Sequence, residues 1–255
     1  MKPLFIYHND ADGFCSAWIY RMKCPDTEFR SAAYGKECPD VTNRDVIIAD
    51  FSYDRETLLK MKGEAKSLLV LDHHGTAQKA LEGLDFCIFD MSKSGAGLVW
   101  DHYFGPMERP LIVDYVEDYD LWTKRLPHCE EVSSAILSRE FNFEMWDELA
   151  SRTLKELIAE GKAINRYRQQ LVNIAARGAE MIEMDGYTVP SINSCVLHNE
   201  ISECFSDNHP FVVMWYDAGD MLRYSLRSKK IDVSEIAKKR GGGGHPGAAG
   251  FVVKK

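Results

Sequence analysis

His8, Asp10 and Asp12 stand at alternate positions directly after the apolar run Leu4 to Tyr7. In an extended segment that spacing turns all three side chains to one side, and an imidazole beside two carboxylates is a ligand fork for a divalent cation. Asp50 closes a second apolar run, Val46 to Ala49, and Asp72-His73-His74 closes a third, Leu68 to Leu71. Carboxylates and imidazoles at the ends of neighbouring strands can share two divalent ions about 3.5 to 4 Å apart, with one carboxylate bridging. Hard oxygen donors with a few imidazoles suit manganese or magnesium, with zinc, cobalt or iron as other occupants. Each segment alone has a plainer reading: Asp12 as the N-cap of a helix starting near Gly13, Asp50 as a strand-end cap, the histidines as solvated side chains. Their succession after buried strands favours a metal centre. In a fourth acidic stretch, Asp114 to Trp122, spacing does not choose among the carboxylates.

A second constellation lies near the C-terminal end. Gly241-Gly242-Gly243-Gly244-His245 follows a basic helix, and Pro246-Gly247-Ala248-Ala249-Gly250 comes next. Glycines let backbone N–H groups close on an anion and His245 can donate to a phosphate oxygen, although a flexible loop would read the same. The run is neither a P-loop nor a dinucleotide fingerprint. Period two along the strand candidate Leu222 to Leu226 places Arg223, Ser225 and Arg227 on one face, two guanidiniums around a hydroxyl, which suits phosphate.

The elements that must carry these groups follow from the apolar pattern. The runs Leu4 to Tyr7, Val46 to Ala49, Leu68 to Leu71 and Phe86 to Phe89 read as strands of a parallel sheet buried on both faces, so the class is α/β. In such sheets ligands bind beyond the carboxyl ends of the strands. From Phe143 to about Met184 the spacing becomes helical, with Gly161 as an interruption and Asp185-Gly186 as a turn. Tyr187 to Ile192, Phe211 to Tyr216 and Leu222 to Leu226 then read as strands, and Val233 to Lys239 as a helix. The expected division is a metal-binding domain over 1–142, a helical connector over 143–184 and a smaller α/β domain over 185–255.

With 255 residues, 45% of them hydrophobic, the chain has material for a sizeable core, which excludes disorder. The net charge of −8 argues against a surface that attracts long nucleic acid all over. Asp220 to Lys255 nevertheless holds nine basic and three acidic side chains, a net +6, which leaves −14 on the rest. Seven scattered cysteines without a Cys-x-x-Cys pair fit a reducing cytoplasm. No apolar run approaches a membrane span, and no secretory signal precedes His8.

Taken together, His8-x-Asp10-x-Asp12-Gly13, Asp50, Asp72-His73-His74, Asp118 and the terminal Gly-Gly-Gly-His-x-x-Ala-Ala-Gly resemble the DHH phosphoesterase family with its DHH-associated C-terminal domain. The resemblance spans nearly the whole chain. It implies two α/β domains with the active site in the cleft between them, and a pair of divalent ions, typically manganese, with magnesium or cobalt as alternatives. His8, Asp10 and Asp50 would hold one ion, and Asp12, Asp50, His73 and Asp118 the other. His74 would face the phosphate, and His74 and Asp72 would be the catalytic groups. Arg227, Ser225, Arg223 and the stretch Gly242, Gly243, Gly244 and His245 would grip the nucleotide.

The family's RecJ-type exonucleases carry further domains, its cyclic dinucleotide phosphodiesterases carry membrane and sensor segments, and its pyrophosphatases lack the glycine-histidine motif. The compact members that remain are oligoribonucleases and nanoRNases. The expectation is a cytoplasmic manganese-dependent phosphodiesterase that cuts short oligonucleotides or linear dinucleotides to mononucleotides, without a membrane partner and with a homodimer left open. The alternatives are a 3',5'-bisphosphonucleoside phosphatase, a cyclic dinucleotide phosphodiesterase and a nucleotide-binding regulatory protein.

Overall fold

The structure is a computed structural model that describes residues 1–33 and 35–255. The chain divides into two compact units, Met1–Asn165 and Arg166–Lys255.

In the first unit, β1 (Leu4–His8), β2 (Glu28–Ala32), β3 (Asp45–Ala49), β4 (Ser67–Asp72) and β5 (Cys87–Phe89) form a parallel sheet in the order β2-β1-β3-β4-β5. Its helices are α1 (Ala11–Lys23), α2 (Arg55–Glu64), α3 (Gly75–Ala80), α4 (Gly95–Tyr103), α5 (Leu111–Asp120), α6 (Cys129–Leu137), α7 (Phe143–Ser151) and the first half of α8 (Leu154–Arg177). The strands are apolar without alternation because both faces are covered. Phe5, Ile47, Ala49 and Leu71 enter one core, under α1 and α4 to α7, while Leu4, Ile6, Ile48 and Val70 enter another, with Leu58 and Met61 of α2. The edge strand β2 escaped the sequence pattern, since Glu28, Arg30 and Ser31 break any apolar run.

The second unit holds β6 (Glu180–Met184), β7 (Tyr187–Asn193), α9 (His198–Glu203), β8 (Val212–Asp217), β9 (Met221–Arg227), α10 (Val233–Lys238), β10 (Gly243–His245) and β11 (Ala248–Lys254). Its mixed sheet runs β10-β11-β9-β8-β7-β6, with β7 and β8 parallel and the other pairs antiparallel. Asp185 and Gly186, at φ 56° and 84°, form the β6–β7 hairpin turn.

The segment expected as a connector is shared out instead. Trp146 and Leu157, both fully buried, belong to the first core, and helical structure ends at Arg177. Met181 and Ile182 lie in β6, where cross-strand pairing with Pro190 and Val189 overrides their helical spacing. Gly161 does not interrupt α8. A Cβ there would lie 1.8 Å from the Glu131 carbonyl oxygen, so glycine is needed for the close approach of α8 and α6. Gly161→Ala should therefore cost about 2 kcal/mol of stability, since the obstacle is backbone. Urea denaturation checks this, and an unshifted midpoint would contradict it.

Candidate metal centre

β1 ends at His8, and Asp10 caps α1 by accepting from the Gly13 N–H at 3.0 Å. Asp12 therefore sits inside the first helical turn and is not the N-cap. His8, Asp10 and Asp12 converge through this sharp strand-to-helix turn and not through extended alternation. Gly13 permits it, because a Cβ there would lie 2.2 Å from the His8 carbonyl oxygen. Asp12 is buried, and its two oxygens accept from the N–H groups of Gly95 and Ala96 at the start of α4, at 2.6 and 2.9 Å. A helix N-terminus stabilises a carboxylate there.

Asp50 follows β3 in the left-handed region, at φ 54°, and is 2% exposed. Its Oδ1 lies 3.1 Å from His73 Nε2, and its Oδ2 lies 3.8 Å from His8 Nδ1. Oδ2 is buried and accepts no hydrogen bond. His73 Nε2 also lies 3.7 Å from Asp12 Oδ2 and 3.4 Å from Asp120 Oδ2. Three overlapping donor groups result, His8 with Asp10 and Asp50, Asp12 with His73 and Asp120, and Asp50 with His73 and His74, each with ligand atoms within 4.8 Å of one another. Asp50 turns one oxygen toward His8 of the first group and the other toward His73 of the second.

Asp118, expected as the ligand of the fourth acidic stretch, is not in the cluster; Asp120 is. Asp118 accepts from Thr123 Oγ1 at 2.5 Å and from the N–H groups of Arg125 and Leu126 at 2.9 Å, and so organises the turn after α5. Burial works against its ionisation, but these hydrogen bonds prevail and hold its carboxyl at about 2. At about 100° per residue the two carboxylates face nearly opposite ways on α5. Burial does not single out Asp120, since Ile112, Val113, Tyr115, Val116 and Asp118 are all buried on α5; what distinguishes Asp120 is its approach to His73.

The electrostatics are those of crowded acids. Burial, then the neighbouring charges of Asp12, Asp10 and Asp120, push Asp50 well above the carboxylate range, and burial with Asp12 and Asp10 raises Asp120 to about 7. Burial raises Asp12 as well. The hydrogen bond to Asp10, at 2.5 Å, raises His8, whereas burial lowers His73. Four carboxylates in one partly buried group whose ion-pair partners are imidazoles, one with an orphaned oxygen, fit divalent cations well.

Asp72 lies beside this group with a supporting role. It accepts from Ser52 Oγ at 2.5 Å, from the His73 N–H at 2.7 Å and from the His74 N–H at 3.2 Å, and its Oδ1 is 2.7 Å from His74 Nδ1. This fixes the ring and leaves Nε2 as its outward nitrogen, while the Asp72 hydrogen bond raises the His74 pKa. The sequence reading also missed Glu117, which accepts from the Ser94 N–H at 3.1 Å and from Arg109 at 2.7 Å and so braces the start of α4.

In the second unit the register carries Arg223, Ser225 and Arg227 on one face of β9, while Leu226 and Tyr224 enter the core and Tyr224 stacks on Phe251 at 4.7 Å. The glycine run is not a loop. Gly243 pairs with Gly250, which pairs with Ser225, and His245 pairs with Ala248, which pairs with Arg227. Arg227 and His245 thus flank a floor of small residues on one face, two strand spacings or about 10 Å apart. At Gly242 a Cβ would meet the Gly250 carbonyl oxygen at 2.1 Å, so this edge needs glycine for backbone approach. Arg227 Nε is held by Asn199 Oδ1 at 2.7 Å.

Residues 200–255 match the DHHA1 domain. The chain has the fold of a pGpG-specific phosphodiesterase, PggH from Vibrio cholerae, with a TM-score of 0.59, 15% identity and coverage of 99% of this chain and 94% of that one. The chain thus carries a DHHA1 domain. RecJ from Thermus thermophilus, solved with Mn2+, is similar at a TM-score of 0.51 and 14% identity, over 99% of this chain and 49% of RecJ. In sequence, the chain is 31% identical to Uncharacterized protein R106 of Acanthamoeba polyphaga mimivirus, over 97% of this chain and 66% of that protein. The chain thus spans slightly less than two thirds of that relative's length. The chain shares the fold of these two solved structures, and no helix among its described residues is long and apolar enough to cross a membrane.

Proposed function

We propose that this protein is a metal-dependent phosphodiesterase of the DHH family that hydrolyses short oligonucleotides or linear dinucleotides to mononucleotides. The observation that carries the reading is Asp50, buried, with one oxygen toward each of two donor groups and no hydrogen bond to the second oxygen. His8, Asp10 and Asp50 would hold one divalent cation, and Asp12, His73, Asp120 and Asp50 the other. Bound there, two such ions, manganese in the first instance, neutralise phosphoryl charge and lower the pKa of an attacking water.

The remaining steps belong to the chain's own groups. Asp12 keeps its position because two backbone N–H groups hold it. Asp72 orients His74 and favours its protonated form, so that Nε2 presents a proton to a phosphoryl oxygen or to the departing oxygen. In the second unit, Arg227, Ser225, Arg223 and His245 supply cationic and hydroxyl groups for a further phosphate, over the small-residue floor of Ala248 and Gly250. A net charge of −8 favours short substrates over long strands.

The test is turnover with manganese of a linear RNA dinucleotide, a cyclic dinucleotide, a 3',5'-bisphosphonucleoside and a long single strand, with Asp50→Asn protein as blank. Preferential loss of the linear dinucleotide is expected. Preference for the bisphosphate or the cyclic compound would replace this reading by the corresponding one, and no turnover above the blank would favour a nucleotide-binding role.

A further inference from the structure

We propose that a small apolar cavity beside the donor cluster receives a nucleobase of the substrate, with Tyr119 in its lining and Trp122 stacked on Tyr119. The proposal rests on the hydrolase reading above and adds to it which part of the substrate the first unit recognises. The cavity, of about 170 Å3, is lined by Asp10, Asp12 and Asp120 together with Ala11, Val116, Tyr119, Ser133, Ile136 and Leu137. Carboxylates that would hold the cations therefore belong to the lining of a largely apolar hollow, and a nucleotide with its phosphate at the cluster has its base within reach of it. A cavity of roughly 150 Å3 accommodates a benzene-sized ring. An inorganic polyphosphate has no apolar face to place there, so the hollow selects for an organic, base-bearing ester.

Trp122 is an independent observation. It is 71% exposed, yet it has a defined pose, stacked on Tyr119 with ring centres 5.9 Å apart and with the Lys124 ammonium 4.7 Å from its own ring centre. Its backbone is left-handed, at φ 55°, as is that of Lys124, at φ 46°. A bulky residue in that region is strained, and such strain persists where the surroundings impose it. Here the hydrogen bonds from Thr123, Arg125 and Leu126 to Asp118 impose it. An indole so exposed contributes little to the core. Held against the ring that lines the cavity, it extends a surface on which bases stack irrespective of sequence.

The experiment compares a linear uridine dinucleotide with the same compound lacking its bases, using wild type, Leu137→Trp, which fills the cavity from a side chain 42% exposed, and Trp122→Ala. The wild-type KM for the base-bearing substrate should be lower by roughly tenfold, the order expected for one stacked base, and both variants should bring that ratio toward one. Melting curves confirm that each variant is folded. A ratio near one in wild type, or a wild-type ratio kept by both variants, overturns the proposal. If wild type turns over neither compound, the hydrolase reading fails on its own, and a second measurement then decides the base site. Uridine titrated into metal-free protein should saturably quench tryptophan emission where ribose does not, and the effect should vanish in Trp122→Phe. Equal response to uridine and ribose, or quenching that survives Trp122→Phe, overturns the base site.

Discussion

Asp50→Asn should lower manganese-dependent turnover at least a hundredfold while raising the melting temperature of the metal-free protein. The carboxylate is 2% exposed, its Oδ2 has no hydrogen-bond partner, and burial together with Asp12, Asp10 and Asp120 disfavours its charge. Asparagine removes that charge, keeps the shape and tolerates the left-handed backbone at φ 54°, so the folded state of the variant loses a repulsion without losing a fit. Catalysis loses the group placed to serve both cations, and removal of one such electrostatic element typically costs ~100-fold to 1,000-fold. Calorimetry with and without manganese supplies the second readout. A ligand at 100 times its Kd stabilises by about 2.7 kcal/mol, so manganese should raise the wild-type melting temperature clearly and that of the variant little. Wild-type turnover in the variant, or no manganese response in wild type, would remove the metal centre from the account.

The pair Asp118→Ala and Asp120→Asn should separate the turn-organising carboxylate from the metal donor. Asp118→Ala leaves the hydroxyl of Thr123 and the N–H groups of Arg125 and Leu126 without their acceptor, and should cost about 3 kcal/mol, with the manganese-induced rise in melting temperature retained. Asp120→Asn should do the opposite: abolish turnover, weaken the manganese response and stabilise the metal-free protein.

That stabilisation carries a pH signature. The Asp120 carboxyl is raised from an ordinary 3.8 to about 7 in the folded protein, so between those values the folded state holds more protons than the unfolded one. Its contribution to stability therefore falls as pH rises through that window. The gap in melting temperature between Asp120→Asn and wild type, both in chelator, should widen from about pH 4 to pH 7 and stay level above. A gap that narrows with rising pH would show that the charge of Asp120 is favoured in the metal-free fold.

The sequence by itself was enough for the α/β class, four of the five strands of the first sheet and five of the residues that the fold gathers into the donor cluster. His8, Asp10, Asp12, Asp50 and His73 are legible because each lies at or just beyond the carboxyl end of an uninterrupted apolar run, and such runs have few readings other than a strand covered on both faces. The C-terminal glycine-histidine stretch and the alternation of Arg223, Ser225 and Arg227 were legible for the same reason of local periodicity.

Tertiary structure decided the rest. Asp118 and Asp120 are the same residue type two positions apart, and only the folded chain shows that Asp120 comes within 3.4 Å of His73 while Asp118 is taken up by the turn after α5. Met181 and Ile182 keep helical spacing and still lie in a strand, because pairing with β7 supplies hydrogen bonds that spacing cannot foresee. Gly95 and Ala96, whose N–H groups hold Asp12 from 83 and 84 residues away, carry no mark of that task. Periodicity reports which side of an element meets apolar surroundings, whereas contacts between distant elements depend on how those surfaces are brought together, and that is a property of the folded chain.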